Sequence, residues 1–182
     1  MYTPAPGMQP TDVALNQPKE TKSEPKASSK QKPKTNLDQF IRELTGLASY
    51  MNELRMQAHL IHLNIEGSNF FGVHKFLKDQ YEAHIEQFDK LGEFIRSLDY
   101  LLPMCHDGLM QASPQFKHCT SYKANEMLGT YYKNLEELGM MTKKLEKVAA
   151  KINAIDIQNY LGELCGEAFK AAWMIKATLR NS

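Results

Sequence analysis

Apolar residues recur at intervals of three and four between residues 36 and 179, and this pattern constrains the fold more than any other feature of the sequence. Such spacing places side chains on one face of an α-helix, whereas a half-buried strand alternates apolar and polar residues. The first stripe comprises Phe40, Ile41, Leu44, Leu47, Ala48, Met51 and Leu54. No segment with the alternating pattern competes with the helical one. The sequence therefore predicts an all-α fold.

Turn-forming residues divide the periodic region into four long helices. The expected spans are 36–63, 70–99, 121–151 and 157–179. Asn36 and Asp156 are the expected N-caps of the first and last helix, because their side-chain oxygens can accept from free backbone N–H groups. Two prolines and a glycine make the connection over residues 101–120 irregular, with room for one short helix. Four helices with one longer middle connection predict a four-helix bundle with a crossover, occupying residues 36–182.

The first 35 residues differ in composition from the rest of the chain. They are rich in Pro, Lys, Ser, Thr and Gln, so they bury too little apolar surface to offset their ordering entropy and are predicted to be a disordered tail. The whole chain has a formal charge of +1, but residues 1–36 carry +3 and the remainder −2. The tail's basic residues are Lys19, Lys22, Lys26, Lys30, Lys32 and Lys34. They predict non-specific, salt-dependent contact with DNA phosphates, the alternative being a solubilising arm.

Cysteine usage and hydropathy indicate the compartment. The three cysteines form no C-x-x-C pair, which favours a reducing cytoplasm over a disulfide framework. No apolar run approaches the roughly 18–20 residues of a transmembrane helix. The N-terminus lacks the apolar core of a secretory signal. The expectation is a cytoplasmic, soluble protein with no membrane association.

Four polar residues, three of them of types that bind metals, share one face of the second predicted helix. Relative to His74, positions Lys78, Asp89 and Glu93 lie about 40°, 60° and 100° round the helix axis. His74 and Asp89 are nevertheless roughly 22 Å apart along that axis, so they cannot bind one metal within a chain. Two copies of the helix packed antiparallel across a twofold would instead form two mixed sites. Imidazole with carboxylates is a ligand set that suits iron.

The same residues carry a family resemblance. His62 to His74 reads H-x-N-hydrophobic-x-G-x-N-F-F-x-x-H, and D-x-x-x-E follows at Asp89 and Glu93. This spacing resembles the signature of the Dps family (DNA-binding proteins from starved cells), the miniferritins of the ferritin-like superfamily. A weaker similarity extends over about residues 37–180. No E-x-x-H occurs in the sequence, which disfavours the larger ferritins, whose di-iron sites use that pair.

The resemblance implies a function and an assembly. Dps proteins are hollow dodecamers built from twofold dimers, with ferroxidase sites at the dimer interfaces. The implied metal ligands are His62, His74, Asp89 and Glu93. Iron(II) is oxidised there, preferably by hydrogen peroxide, and stored as a ferric mineral, which protects DNA from oxidative stress. The implied localisation is cytoplasmic and nucleoid-associated.

Lys78 stands where the family has an aspartate. A protonated amine is a poor ligand and repels Fe²⁺, so two interpretations stay open. Either His62 with the neighbour's Asp89 and Glu93 still binds one iron, or Lys78 forms an ion pair with those carboxylates and replaces the metal. In the second case the protein is a DNA-compacting or structural shell without ferroxidase activity. Asp79 is a weaker substitute, since it lies about 100° further round the helix.

The remaining histidines are expected to be less informative. His59 is interpreted as packed or exposed, with hydrogen bonding behind a metal ligand as the alternative. His84 is expected to be exposed. The pairs Cys105-His106 and His118-Cys119 lack zinc-site spacing, so a zinc site is not expected.

Overall fold

A computed structural model describes residues 36–113 and 115–180, and these form four long helices and one short one. The helices are α1 (Asn36–Asn64), α2 (Phe70–Ser97), α3 (His106–Ala112), α4 (Ala124–Lys151) and α5 (Ile155–Leu179). The all-α four-helix bundle predicted from the sequence is confirmed, and so is the short helix in the middle connection. The predicted tail, with its six lysines, lies outside the described residues.

Burial of one apolar face on each long helix holds the bundle together. Helix α1 packs against α2 and α4, and α4 packs against α5. The largest fully buried side chains include Tyr50, Tyr131, Phe40 and Leu135. Each such side chain contributes roughly 1.5–3 kcal/mol relative to its exposed state. None of the described helices is both long and apolar enough to cross a membrane.

Helices α4 and α5 approach each other closely at Gly139. A Cβ atom built on this residue would lie 2.7 Å from the Phe169 ring of α5. The thiol of Cys165, also on α5, donates a hydrogen bond to the Gly139 carbonyl at 3.4 Å. Any side chain at this position would therefore force the partly exposed Phe169 ring to move.

The helix starts differ in detail from the sequence prediction. Helix α5 begins at Ile155 with Ala154 in the N-cap position, so the assignment of Asp156 as N-cap is wrong. Asn153 adopts a positive φ of 60°, which ends the turn early and places Asp156 inside the first helical turn. Its carboxylate there interacts favourably with the positive end of the helix dipole. The N-cap of α2 is Asn69, whose side chain makes no capping hydrogen bond.

A buried polar cluster attaches the crossover segment to the bundle. The Asn134 amide donates to Gln57 Oε1 at 2.9 Å and to the Lys117 carbonyl at 2.8 Å. Gln57 Nε2 donates to the same Lys117 carbonyl at 2.8 Å. The Tyr50 hydroxyl donates to the Asn134 carbonyl at 3.2 Å, and Phe116 packs edge-on against the Tyr50 ring. An irregular segment is thereby fixed to α1 and α4 by hydrogen bonds from two buried amide side chains.

We predict that Asn134→Ala destabilises the fold by roughly 2–3 kcal/mol, because it removes the donor to Gln57 Oε1 and one of the two donors to the Lys117 carbonyl. Urea unfolding followed by circular dichroism measures the change. Asn125→Ala, at an exposed position at the start of the same helix, is the matched control and should stay within about 0.5 kcal/mol of the wild type. Equal effects of the two substitutions would contradict the anchoring assigned to Asn134.

Candidate metal centre

The corner between α1 and α2 brings His62 and His74 together. His62 lies in the last turn of α1 and His74 in the second turn of α2. The connection of residues 65–69 turns at Gly67, whose φ of +115° is rarely adopted by residues with a side chain. The two imidazole rings stack with centroids 3.6 Å apart and planes 21° from parallel. His62 is almost fully buried and His74 partly so.

Two reciprocal hydrogen bonds fix these rings. His62 Nδ1 lies 2.8 Å from the His74 carbonyl oxygen, and His74 Nδ1 lies 2.9 Å from the His62 carbonyl oxygen. A carbonyl can only accept, so Nδ1 carries the proton in both rings. The lone pair of each neutral imidazole is therefore on Nε2, the atom available to a metal. The His62 carbonyl lies in the last turn of α1, where no backbone N–H of the helix is available to it, and it accepts from His74 Nδ1 instead.

Aromatic side chains surround the histidine pair. Phe70 packs on the His74 ring at 4.8 Å between centroids, and Tyr81 packs edge-on against His62 at 5.4 Å. His59 stacks on Tyr81 at 4.4 Å, so the packed interpretation of His59 is the one that the structure supports. These contacts restrict the rotation of both imidazoles and hold their Nε2 atoms in place.

The predicted carboxylate ligands lie away from the histidines. Asp89 and Glu93 are exposed near the other end of α2, and Glu93 forms a 3.3 Å ion pair with Lys90. Among the described residues, no group of three or more His, Cys, Asp or Glu side chains is arranged to bind a metal. This holds for the two Cys–His pairs as well. The single chain thus supplies two imidazoles, and the contribution of Asp89 and Glu93 stays a prediction.

Lys78 lies one helical turn after His74 and makes one weak ion pair. Its Nζ is 3.6 Å from Glu82 Oε1, and both side chains are about half exposed (53% and 54%). An exposed pair of this kind contributes roughly 0.3–0.5 kcal/mol, so Lys78 adds little to the fold. Asp79 pairs with Lys75 at 3.2 Å instead of turning toward the histidines.

The expectation that His84 is exposed is wrong. It is 2% exposed, with Nδ1 2.7 Å from Gln87 Oε1 and Nε2 2.9 Å from the Tyr131 hydroxyl. Burial lowers the pKa of His84 from 6.5 to about 4, and the hydrogen bond to Gln87 offsets part of this effect. His84 is seven residues from both Leu77 and Leu91, which are buried on the same face of α2. That heptad spacing is the sequence signal that identifies it as a core residue.

The chain is similar to proteins of the ferritin-like group. A family model described as the ferritin-like domain matches residues 41–182. The DNA protection during starvation protein of Helicobacter pylori strain J99 is 26% identical over 127 residues, covering 69% of this chain and 88% of that protein.

Solved structures show the same fold. Dps from Vibrio cholerae, titled a member of a broad superfamily of ferritin-like diiron-carboxylate proteins, aligns with a TM-score of 0.73 and 21% identity, over 79% of this chain and 91% of that one. Dps from Thermosynechococcus elongatus aligns with a TM-score of 0.74 and 15% identity, over 79% and 92% of the two chains.

We predict that stability falls with acidification because of His84. Its pKa is lower in the folded protein than in the unfolded chain, so the unfolded chain binds the proton first as the pH falls. The contribution of His84 to the free energy of unfolding is therefore fully present above pH 6.5. It decreases as the pH falls toward 4, by up to roughly 3 kcal/mol. Urea midpoints across this range measure the slope. His84→Gln should flatten it, whereas His106→Gln, at an exposed histidine, should leave it unchanged; equal slopes in all three proteins would refute the assignment.

Proposed function

The chain belongs to the ferritin-like domain family, and from that premise we propose that it is a Dps-like miniferritin that binds and oxidises iron(II), stores ferric iron and protects DNA. The observation that carries the proposal is the fixed histidine pair, in which reciprocal hydrogen bonds leave Nε2 of His62 and of His74 as metal donors. Iron is the substrate and cargo of this activity. The name of the Helicobacter pylori relative supports the link to DNA protection.

The complete site requires a second copy of the chain. Asp89 and Glu93 are roughly 22 Å or more from His74 along α2, a distance that antiparallel pairing of two α2 helices would close. His62 and His74 of one copy would then meet Asp89 and Glu93 of the other, giving two equivalent sites per dimer. Two imidazoles with two carboxylates suit a divalent first-row metal such as Fe²⁺. In this site the imidazoles bind and orient the iron, and the carboxylates balance its charge.

Exposed apolar side chains support assembly into a shell. Phe71 is 85% exposed in the single chain, close to the histidine pair, and Trp173 on α5 is 64% exposed. Helix α1 presents a further stripe of exposed apolar residues, Met56, Leu60 and Leu63. Apolar surface spread over three helices is typical of a subunit that buries it against other subunits. We propose that twelve copies form the shell, as the family resemblance implies.

Lys78 changes what this site can hold. Its ammonium group would lie beside the position of the aspartate ligand that the family has there, so one of two adjacent metals loses a donor and meets a like charge. The His62 end of the site keeps its imidazole and both carboxylates of the second copy. We therefore assign it a single iron per site instead of two.

A non-ferroxidase shell is the second candidate function, and the contacts of Lys78 favour it specifically. Because the ion pair with Glu82 is exposed and long, Lys78 can exchange Glu82 for Asp89 or Glu93 of a second copy at little cost. An ion pair would then occupy the metal site. The protein would act as a structural or DNA-compacting shell.

We predict that Fe²⁺ added anaerobically, followed by hydrogen peroxide, produces an Fe(III) absorbance change proportional to the amount of wild-type subunit. His62→Ala should abolish it, because the site loses its best-held donor. Lys78→Asp should roughly double the iron bound per subunit, by supplying a ligand for a second metal. Iron bound is measured by anaerobic titration and elemental analysis.

The matched control for Lys78→Asp is Lys75→Asp, which makes the same charge change on α2 about 60° further round the helix from Lys78. It should leave iron binding and oxidation unchanged. A wild type without Fe(III) formation, together with activity restored by Lys78→Asp, would refute ferroxidase activity and support the structural shell. Light scattering of each variant establishes that the assembly, expected near twelve subunits, is retained.

We predict that the lysine tail supplies most of the DNA affinity. Wild-type protein should retard DNA in gels at low salt and lose this affinity steeply as salt rises, because phosphate contacts release counterions. Replacing the six tail lysines by glutamine keeps the tail's length and should abolish the shift. An unchanged shift in that variant would show that DNA is bound elsewhere on the protein.

A further inference from the structure

A chain of four hydrogen-bonded side chains runs from the core of the bundle to its surface. The Tyr131 hydroxyl lies 2.9 Å from His84 Nε2, and His84 Nδ1 lies 2.7 Å from Gln87 Oε1. Gln87 Nε2 donates to Glu167 Oε2 at 2.8 Å. Tyr131 is fully buried on α4, and Glu167 is exposed on α5, beside a cavity of about 310 Å³ that His84 and Gln87 also line. The proposed iron site does not use any of these residues.

The surface carboxylate determines the direction of every bond in the chain. A carboxylate accepts, so the Gln87 amide turns its NH₂ group to Glu167 and its oxygen to His84. That oxygen accepts from the ring, so the His84 proton is on Nδ1. The bare Nε2 then accepts from the Tyr131 hydroxyl. All three donors point outward, from the phenol toward the carboxylate.

Burial fixes the resting state of the pair. Desolvation raises the pKa of Tyr131 and lowers that of His84, so the phenol is protonated and the imidazole neutral. With Tyr131 fully buried and His84 2% exposed, water does not reach the phenol. The nearest proton acceptor for Tyr131 is therefore the nitrogen base to which its hydroxyl is already bonded.

We propose that Tyr131 and His84 form a redox-active pair that reduces one-electron oxidants of the hydroxyl-radical class. An electron leaves the Tyr131 phenol and reduces the hydroxyl radical to hydroxide, which takes a proton from solvent to form water. The phenolic O–H bond breaks at the same time and its proton binds His84 Nε2. The products are a neutral tyrosyl radical and an imidazolium. A cellular thiol returns the electron and becomes a thiyl radical, releasing its S–H proton to solvent, while the proton on His84 Nε2 moves back to the phenolic oxygen.

The outer part of the chain stabilises the charge that this step creates. The new imidazolium donates through Nδ1 to the Gln87 oxygen, and Gln87 is polarised by the negative charge of Glu167. The other charged groups lining the cavity beside His84 are Asp79 on α2 and Lys170 on α5. Hydrogen bonds in such a chain strengthen one another in a low-dielectric interior.

Tyr131 differs from the other tyrosines of the described residues in its partner. The Tyr50 hydroxyl, which is equally buried, donates to the carbonyl and side-chain oxygens of Asn134, and neither oxygen can take a proton. The hydroxyls of Tyr100 and Tyr132 donate to the carboxylates of Asp38 and Glu136. Tyr131 alone in residues 36–113 and 115–180 combines full burial with a hydrogen bond to a nitrogen base. Its radical would be shielded from coupling with another tyrosine.

The test uses an oxidant that requires no iron, so that its result is independent of the proposed ferroxidase function. The full-length protein is oxidised by flash-generated ruthenium(III) tris-bipyridine and examined by electron paramagnetic resonance. We expect a long-lived tyrosyl signal that is lost in Tyr131→Phe and retained in Tyr50→Phe, the matched buried phenol. In D₂O the radical should show coupling to an exchangeable deuteron, donated by the protonated His84.

Two further variants separate the proton acceptor from simple packing. His84→Gln keeps an oxygen that can accept from Tyr131 but removes the base, so the signal should be lost. Glu167→Gln, at an exposed position, leaves the core intact and removes only the charge, so the radical yield should fall. A wild-type yield in Tyr131→Phe or in His84→Gln would overturn the proposal, as would an unchanged yield in Glu167→Gln. Circular dichroism establishes that each variant is folded.

Discussion

The need to hydrogen-bond every buried polar group organises this bundle. Among the described residues, no buried side-chain nitrogen or oxygen lacks a partner. An unpaired group of this kind costs about 1–3 kcal/mol, so each buried polar residue constrains what lies beside it. Asn134 and Gln57 fix the crossover segment, His62 and His74 fix the α1–α2 corner, and His84 connects α2 with α4. The apolar stripes bring the helices together, and these polar contacts determine where the irregular parts attach.

The same reciprocal bonds that close the α1–α2 corner also orient its two imidazoles for the metal that we propose there. They use Nδ1 of both histidines and leave Nε2 as the donor, so folding performs the orientation that metal binding would otherwise require. Lys78 is outside this arrangement, exposed and held by one weak ion pair. A lysine there therefore has little effect on the fold, while it would change the donor set of the proposed metal site. A substitution at this one position can therefore change the proposed metal ligands without changing the fold.

The sequence predicts the positions of His62 and His74 more securely than that of His84, because only the first two belong to a spaced motif. His62 and His74 were identified by a spaced motif, and the structure brings them into contact at 3.6 Å between ring centroids. His84 belongs to no motif, and the prediction that it is exposed is wrong because it shares the buried face of α2 with Leu77 and Leu91. The prediction of Asp156 as an N-cap is wrong because helix α5 begins two residues earlier than the residue types suggest, directly after the turn at Asn153 and Ala154. A side chain's burial depends on the face it occupies, and residue type alone does not reveal that face.

The sequence by itself determined the all-α class, the four long helices, the short helix in the crossover and the histidine pair, because helical periodicity and motif spacing are local properties of the chain. Only the tertiary structure decided that the imidazoles of His62 and His74 each bond to the other residue's backbone carbonyl, and that Tyr131 donates to His84. It also decided that the Glu167 carboxylate orients the hydrogen bonds that lead from His84 to the surface. These contacts join residues 12, 47 and 80 positions apart, and their geometry follows from how the helices pack, which no local pattern specifies.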